Sequence, residues 1–202
     1  MSRPINQDDL FAQIASLERR LAVVEASVIK HGIELIESYT LTASATSFDF
    51  LTNPLPQTYQ SLMLVSASRT DAASHGTYLR WRFNGDTGNN YADSTHEANG
   101  STDSNFQINS NSESRFGYST GSSVAKRSSC VTILTGYASS AYAKTWISLI
   151  GSAINIVADN IYNIGLAGHW ANTAPITRIT VLQSTGNILA GSRFDLYGLV
   201  GR

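Results

Sequence analysis

A heptad run near the N-terminus constrains this chain most. Leu10, Ile14, Leu17, Leu21, Val24 and Val28 are spaced alternately four and three residues apart. That spacing puts one narrow apolar stripe on a helix, the stripe a coiled coil needs. With Ile14, Leu21 and Val28 at a, the residues Leu10, Leu17 and Val24 fall at d. Arg20 then sits at g and Glu25 at the following e, an attractive pair across a parallel interface. A helix cannot bury such a stripe alone, so the chain is expected to work as an oligomer. The a and d positions mix β-branched residues with leucine, so core rules alone leave dimer and trimer both open. The alternative is a helix packed on its own body, but the narrow stripe in constant heptad phase speaks against it. The helix is expected to start near Asn6 or Asp8 and to end at Lys30–His31, before Gly32. A coil this short is marginal by itself, so the body must share the association.

From Ile36 onward the hydrophobic period becomes two. Tyr39, Leu41 and Ala43 alternate with polar residues, and Phe48 and Phe50 flank Asp49. In YLRWRF, Leu79, Trp81 and Phe83 share one face, and Asn84-Gly85 follows as a tight-turn signal. Residues 84–123 are the least hydrophobic stretch and read as long exposed loops with one short hairpin. Strand signals return in SCVTILTGYA, KTWISLIG, YNIGLAGHWA, ITRITVLQ and SRFDLYGLV. About nine or ten strands at this spacing predict a mainly β chain, an antiparallel β-sandwich of jelly-roll type. The expected organisation is a coiled-coil attachment helix over 1–32, a linker with the first strands over 33–57, and the sandwich body over 58–202.

Charge narrows the function classes. Asp, Glu, Lys and Arg make up 14% of the chain, and its formal net charge is −1. Such a chain has no electrostatic footprint for nucleic acid or an anionic membrane. No apolar run approaches the ~20 residues of a membrane span. The first residues are polar and acidic where a signal peptide would be basic and then apolar, so synthesis and folding in a cytosol are expected. The single cysteine, Cys130, lies in the apolar run CVTIL and reads as a buried, inert thiol.

Three segments resemble a family of tailed-bacteriophage virion appendage proteins, the tips of tail fibres and head fibres. They are TYQSLMLVSASRTDAASHGTYLRWRFNGDTGNNY at 58–91, HWANTAPITRITVL at 169–182, and the C-terminal GSRFDLYGLVGR at 191–202. The resemblance covers most of 58–202 and defines a structural module without chemistry. It implies a helical N-terminus that mounts a C-terminal β tip, a homotrimer, and other virion proteins as partners at the N-terminus. It also implies residence in the virion, after assembly in the host cytoplasm.

Catalytic signals are weak. GYSTG at 117–121 fits the G-x-S-x-G elbow of serine hydrolases, but neither an apolar strand nor a helical stripe flanks Ser119. Asp86, Asp93, Glu97 and Asp103 offer oxygens to Ca²⁺ without the spacing of a calcium loop. The four histidines, His31, His75, His96 and His169, lack zinc-site spacing. Carboxylate pairs for glycoside cleavage come from distant strands and leave no spacing signature. No catalytic residue, metal or cofactor is therefore assigned, and the chain is expected not to be an enzyme. Binding is easier to argue: tyrosine among small polar residues suits adaptable recognition, and aromatic faces suit sugars. Asn90, Tyr91, Tyr137 and Tyr142 are the candidate contacts to host-surface glycans. A capsid-attached head fibre or decoration protein without a receptor role is the alternative, and a hydrolase or depolymerase is the reading from another class.

Overall fold

The computed structural model describes residues 11, 13–20, 32–73, 76–98, 102–121, 126–153 and 161–200. The chain divides into one unit up to Gly32 and a second from Ile33 to Gly201. In the first, residues 11 and 13–20 are helical, and they include Ile14 and Leu17 of the heptad stripe. Leu10, Leu21, Val24, Val28 and both expected helix ends lie outside the described residues.

The second unit is built of twelve strands. They are β1 (Gly32–Thr40), β2 (Ser47–Asp49), β3 (Ser61–Ser68), β4 (Gly76–Phe83), β5 (Tyr91–Ala98) and β6 (Asp103–Asn111). Then follow β7 (Ser114–Thr120), β8 (Ser128–Thr135), β9 (Lys144–Ala153), β10 (Ile161–Trp170), β11 (Ile179–Gln183) and β12 (Arg193–Val200). One sheet has eight strands in the order β1-β12-β3-β8-β9-β10-β5-β6, and the other has four in the order β2-β11-β4-β7. The pairs from β12–β3 through β5–β6, and all pairs of the small sheet, run antiparallel.

Setting aside β5, β6, β9 and β10, the other strands nest. The first pairs with the last, β1 with β12; then β2 with β11, β3 with β8, and β4 with β7. That is a long hairpin wrapped over itself, the jelly-roll order. The β5–β6 and β9–β10 hairpins are insertions that widen the large sheet beyond β8. Residues 33–57, expected as a linker with the first strands, carry most of β1 and all of β2, an outer strand of each sheet.

Period-two alternation places the core. Leu62 and Leu64, Leu79, Trp81 and Phe83, Leu134, Trp146, Leu166, Trp170, Phe194 and Leu196 are all buried between the sheets. Trp81 stacks on Phe116 at 4.7 Å and meets Trp146 edge-on at 5.0 Å. Asn84 and Gly85 adopt positive φ angles of 52° and 69°, and Asp86 N–H donates to Phe83 O, so the expected turn forms. It does not close a hairpin, however. It passes the chain from β4 in the small sheet to β5 in the large one.

Residues 84–123 depart from expectation. They contain β5, β6 and β7 rather than long exposed loops. These strands escape a hydrophobicity reading because several of their inward positions, Asp93, Thr95 and Ser114 among them, are polar. Asp93 on β5 is buried and accepts from Ser114 Oγ at 2.7 Å, Arg115 N at 3.0 Å and Arg115 Nε at 2.6 Å. Arg115 also lies over the Tyr78 ring at 4.9 Å. The next inward carboxylate, Glu97, accepts from the Tyr78 hydroxyl.

β7 is the free edge of the small sheet, and it abuts the inner face of the large one. Its outward carbonyls are received there. Trp146 Nε1 donates to Arg115 O at 3.2 Å, Thr132 Oγ1 to Phe116 O at 3.1 Å, and Ser68 Oγ to Tyr118 O at 3.3 Å. Thr70 N–H donates to Thr120 O at 2.8 Å. The edge is thereby closed to foreign strands.

Removing one partner of a buried ion pair strands the other, at a cost of about 3–5 kcal/mol. Asp93→Ala is expected to lose about that much stability in urea unfolding, whereas Asp93→Leu with Arg115→Met should lose markedly less. Equal losses in the two variants would contradict this role for the pair.

Candidate functional site

The loops that carry the sequence candidates are 84–90, 136–143 and 171–178. Backbone and side-chain bonds gather them at one end of the sandwich. Ile176 N–H donates to Tyr137 O, and Ala171 N–H donates to Asn90 O, each at 2.8 Å. The Asn84 side chain accepts from Thr177 N at 2.8 Å and Arg178 N at 3.1 Å and donates to Pro175 O at 2.8 Å.

Two charged groups organise this end. Asp86 accepts from Gly88 N and Asn90 Nδ2 at 2.8 Å and from Trp170 Nε1 at 2.7 Å. Burial alone would raise its carboxyl, but the bonds from Asn90, Trp170 and Gly88 prevail and hold it below the usual carboxylate range. Lys144 is fully buried, and its ammonium donates to Ser139 O at 2.6 Å, Tyr142 O at 2.7 Å and Thr173 O at 2.9 Å. One cation thus ties loop 136–143 to loop 171–178. Desolvation lowers its pKa.

The four candidate contacts share this end but not a common role. The Tyr91 ring is buried, and its hydroxyl accepts from Phe83 N at 2.9 Å. The Tyr137 ring is buried, and its hydroxyl donates to Pro56 O. Burial raises both phenols. These two rings are structural, which corrects the expectation that they are free to stack on a sugar. Asn90 is half-buried and spends its amide on Asp86. Tyr142 alone presents its ring, at 75% exposure. Sequence reasoning missed Lys144 as an organiser. Its signal was parity: Lys144 shares a strand face with Trp146, Ser148 and Ile150, so it had to point inward.

The other candidate chemistry stays dispersed. Ser119 is buried near the C-terminal end of β7 with its Oγ 3.0 Å from Ser68 Oγ, not at a strand-to-helix elbow. Asp86, Asp93 and Glu97 each have separate partners, as above. Among the described residues no group of three or more His, Cys, Asp or Glu side chains is placed to hold a metal ion. Cys130 is buried, and its burial pushes the thiol up to about 12, as an inert cysteine requires.

A second surface was not foreseen. On the outer face of the large sheet, register aligns Met63, Ile133, Ile147 and Ala167 in one row. It aligns Val65, Val131, Leu149 and Gly165 in the next. These aliphatics form a ridge between two open clefts of about 480 and 770 Å³. Gln107, Asn109 and His169 border the first; Asn163, Arg193 and Asp195 border the second.

No protein-family model and no curated protein matches the chain. Among solved structures, similar ones include the CBM40 module of the Ruminococcus gnavus IT-sialidase (TM-score 0.35, 11% identity, 83% of this chain and 95% of that one). The same module bound to alpha2,6 sialyllactose gives a TM-score of 0.33 at 11% identity over the same shares. NanB with Optactamide gives a TM-score of 0.35 at 11% identity, covering 83% of this chain and 27% of that one. Likeness at this level carries no argument about ligand or relationship.

A depressed carboxylate contributes stability that is present above its unfolded pKa, near 3.9, and is lost as pH falls through the lower folded value. Asp86→Asn is therefore expected to cost about 1–3 kcal/mol near neutral pH. The gap to wild type should narrow as pH falls below about 4. A gap in urea midpoints that stays constant with pH would contradict the assignment. Lys144→Met leaves buried carbonyls without a donor and is expected to lower Tm by several degrees in a thermal melt, whereas Tyr142→Ala should leave Tm within about one degree.

Proposed function

We propose that this chain is a virion appendage of a tailed bacteriophage. It assembles as a homotrimer through its N-terminal coiled coil, docks by that end on other virion proteins, and presents the jelly roll to host-surface glycans. It needs no cofactor and performs no catalysis. The observation that carries the reading is that Ile14 and Leu17, the two described positions of the heptad stripe, lie on helical residues at 43% and 59% exposure. A stripe of that kind is stabilised by other helices like it. The three segments that resemble fibre tips add the virion context and the lean to three copies.

For the glycan contact, the support lies at the loop end. Tyr142 offers an exposed ring, and Lys144 fixes the backbone that carries it by bonding the carbonyls of Ser139, Tyr142 and Thr173. Tyr142 inherits the role first given to four residues. Single contacts of this size are weak, and three copies raise the effective affinity by roughly 10²–10⁴ through avidity.

Light scattering on the full chain should give three times 21.8 kDa. Leu17→Asp with Leu21→Asp should dissociate it by placing charge in the seam. Tyr142→Ala should weaken host-cell binding with the trimer and Tm retained. A monodisperse wild-type monomer would overturn the assembly, and unchanged adsorption by Tyr142→Ala would overturn the contact.

A further inference from the structure

The outward positions of β3, β8, β9 and β10 break the pattern of an exposed sheet. One face of an antiparallel sheet normally meets water and is polar there. The outer face of the small sheet obeys this, with Arg80, Arg82, Asp49 and Thr180 on it; Glu113 bridges the two arginines, and Thr180 donates to Asp49. The outer face of the large sheet does not. Leu149 is 71% exposed and Ile147 58%, and Val131 beside them is exposed too.

We infer that this ridged face turns inward in the assembly and packs against neighbouring copies of this chain. The inference rests on the oligomer proposed above, and four observations select a second copy as the occupant. First, charge is absent from the outward positions of β3, β8, β9 and β10. The ionised groups bordering the clefts are Arg193 and Asp195, which pair with each other at 2.9 Å, and Asp93, which is turned inward onto Arg115. A like face can therefore be met without burying an unpaired charge.

Second, the relief is self-complementary in kind. Each copy carries both an aliphatic ridge and aliphatic-floored clefts on either side of it. Third, the exposed aliphatics run on from the heptad segment along the chain. β1 begins at Gly32, directly after that segment, and places exposed Ile33 and Leu35 in the edge strand of this same sheet. Fourth, the size fits a contact made alongside the coil. Four strands about 4.8 Å apart, rising about 3.3 Å per residue, give an aliphatic face on the order of 500 Å², less than the roughly 800 Å² per partner of a standard free-standing interface. The short coil holds copies at high effective concentration, so a modest interface is enough.

The test is maleimide labelling of single added cysteines in the full chain; buried Cys130 does not interfere. Leu149→Cys reports the ridge, and Ser47→Cys, exposed on β2 of the small sheet, is the reference. In the oligomer, Cys at 149 should label at least about tenfold more slowly than Cys at 47. Adding Leu17→Asp and Leu21→Asp should bring the two rates together as copies separate. Ile147→Cys repeats the measurement should Leu149→Cys misfold. Equal rates in an intact oligomer would overturn this inference and leave the oligomer reading standing. A wild-type chain that scatters as a monomer would overturn both. Slow labelling at 149 that persists after dissociation would mean that another occupant covers the face, and would overturn the inference alone.

Discussion

The free edge of β7 sets the terms for the rest of the body. An edge strand carries a row of carbonyls that must find donors, and here they point at the inner face of the large sheet. Trp146, Thr132 and Ser68 answer them. That requirement explains why the space between the sheets is not uniformly apolar. Around the same junction, Thr120, Ser128 and Ser152 bond one another, and Thr132 bonds Ser148 at 2.8 Å. Small hydroxyls let the edge approach closely, and these five find their partners in one another. The large aromatics fill the wider part of the sandwich beside it. The Asp93–Arg115 pair then fixes the inserted β5–β6 hairpin to the same strand.

Anchored this way, the body leaves two surfaces for function. The loop end is rigid in its backbone, because Asp86 and Lys144 spend their charges on loop amides and carbonyls rather than on solvent. What remains available there is Tyr142 and its small polar neighbours. The outer face of the large sheet is the opposite: regular, aliphatic and nearly uncharged. A loop end suits a soluble polar ligand, and a ridged aliphatic face suits protein. That division fits an appendage whose copies pack side by side and whose ends meet another surface.

Much of the fold was legible in the sequence because alternation is a local signal. Leu79, Trp81 and Phe83, or Trp146, Ser148 and Ile150, reveal their shared face by spacing alone. β5 to β7 were illegible because Asp93, Thr95 and Ser114 lie inward, and polar interior residues cancel the alternation a hydrophobic reading needs. Asn84-Gly85 was read correctly as a turn, but the sheet that receives the next strand is a tertiary outcome that a turn cannot encode. Of the candidate site, Tyr142 survives, while Tyr91 and Tyr137 do not. A tyrosine in a polar loop looks the same in sequence whether its ring lies over a core or faces water; the buried acceptor of its hydroxyl, Pro56 O for Tyr137, lies 81 residues away.

A chain that serves as a phage appendage, as proposed above, belongs on the outside of the particle. Immunogold labelling of purified virions, with antibodies raised against the jelly-roll body, tests that most directly. The account predicts gold at fixed positions on the particle, at the tail tip for a receptor-contacting fibre or at the capsid for a head fibre. Particles that carry no label, with the protein recovered only in the soluble fraction of the lysate, would contradict it.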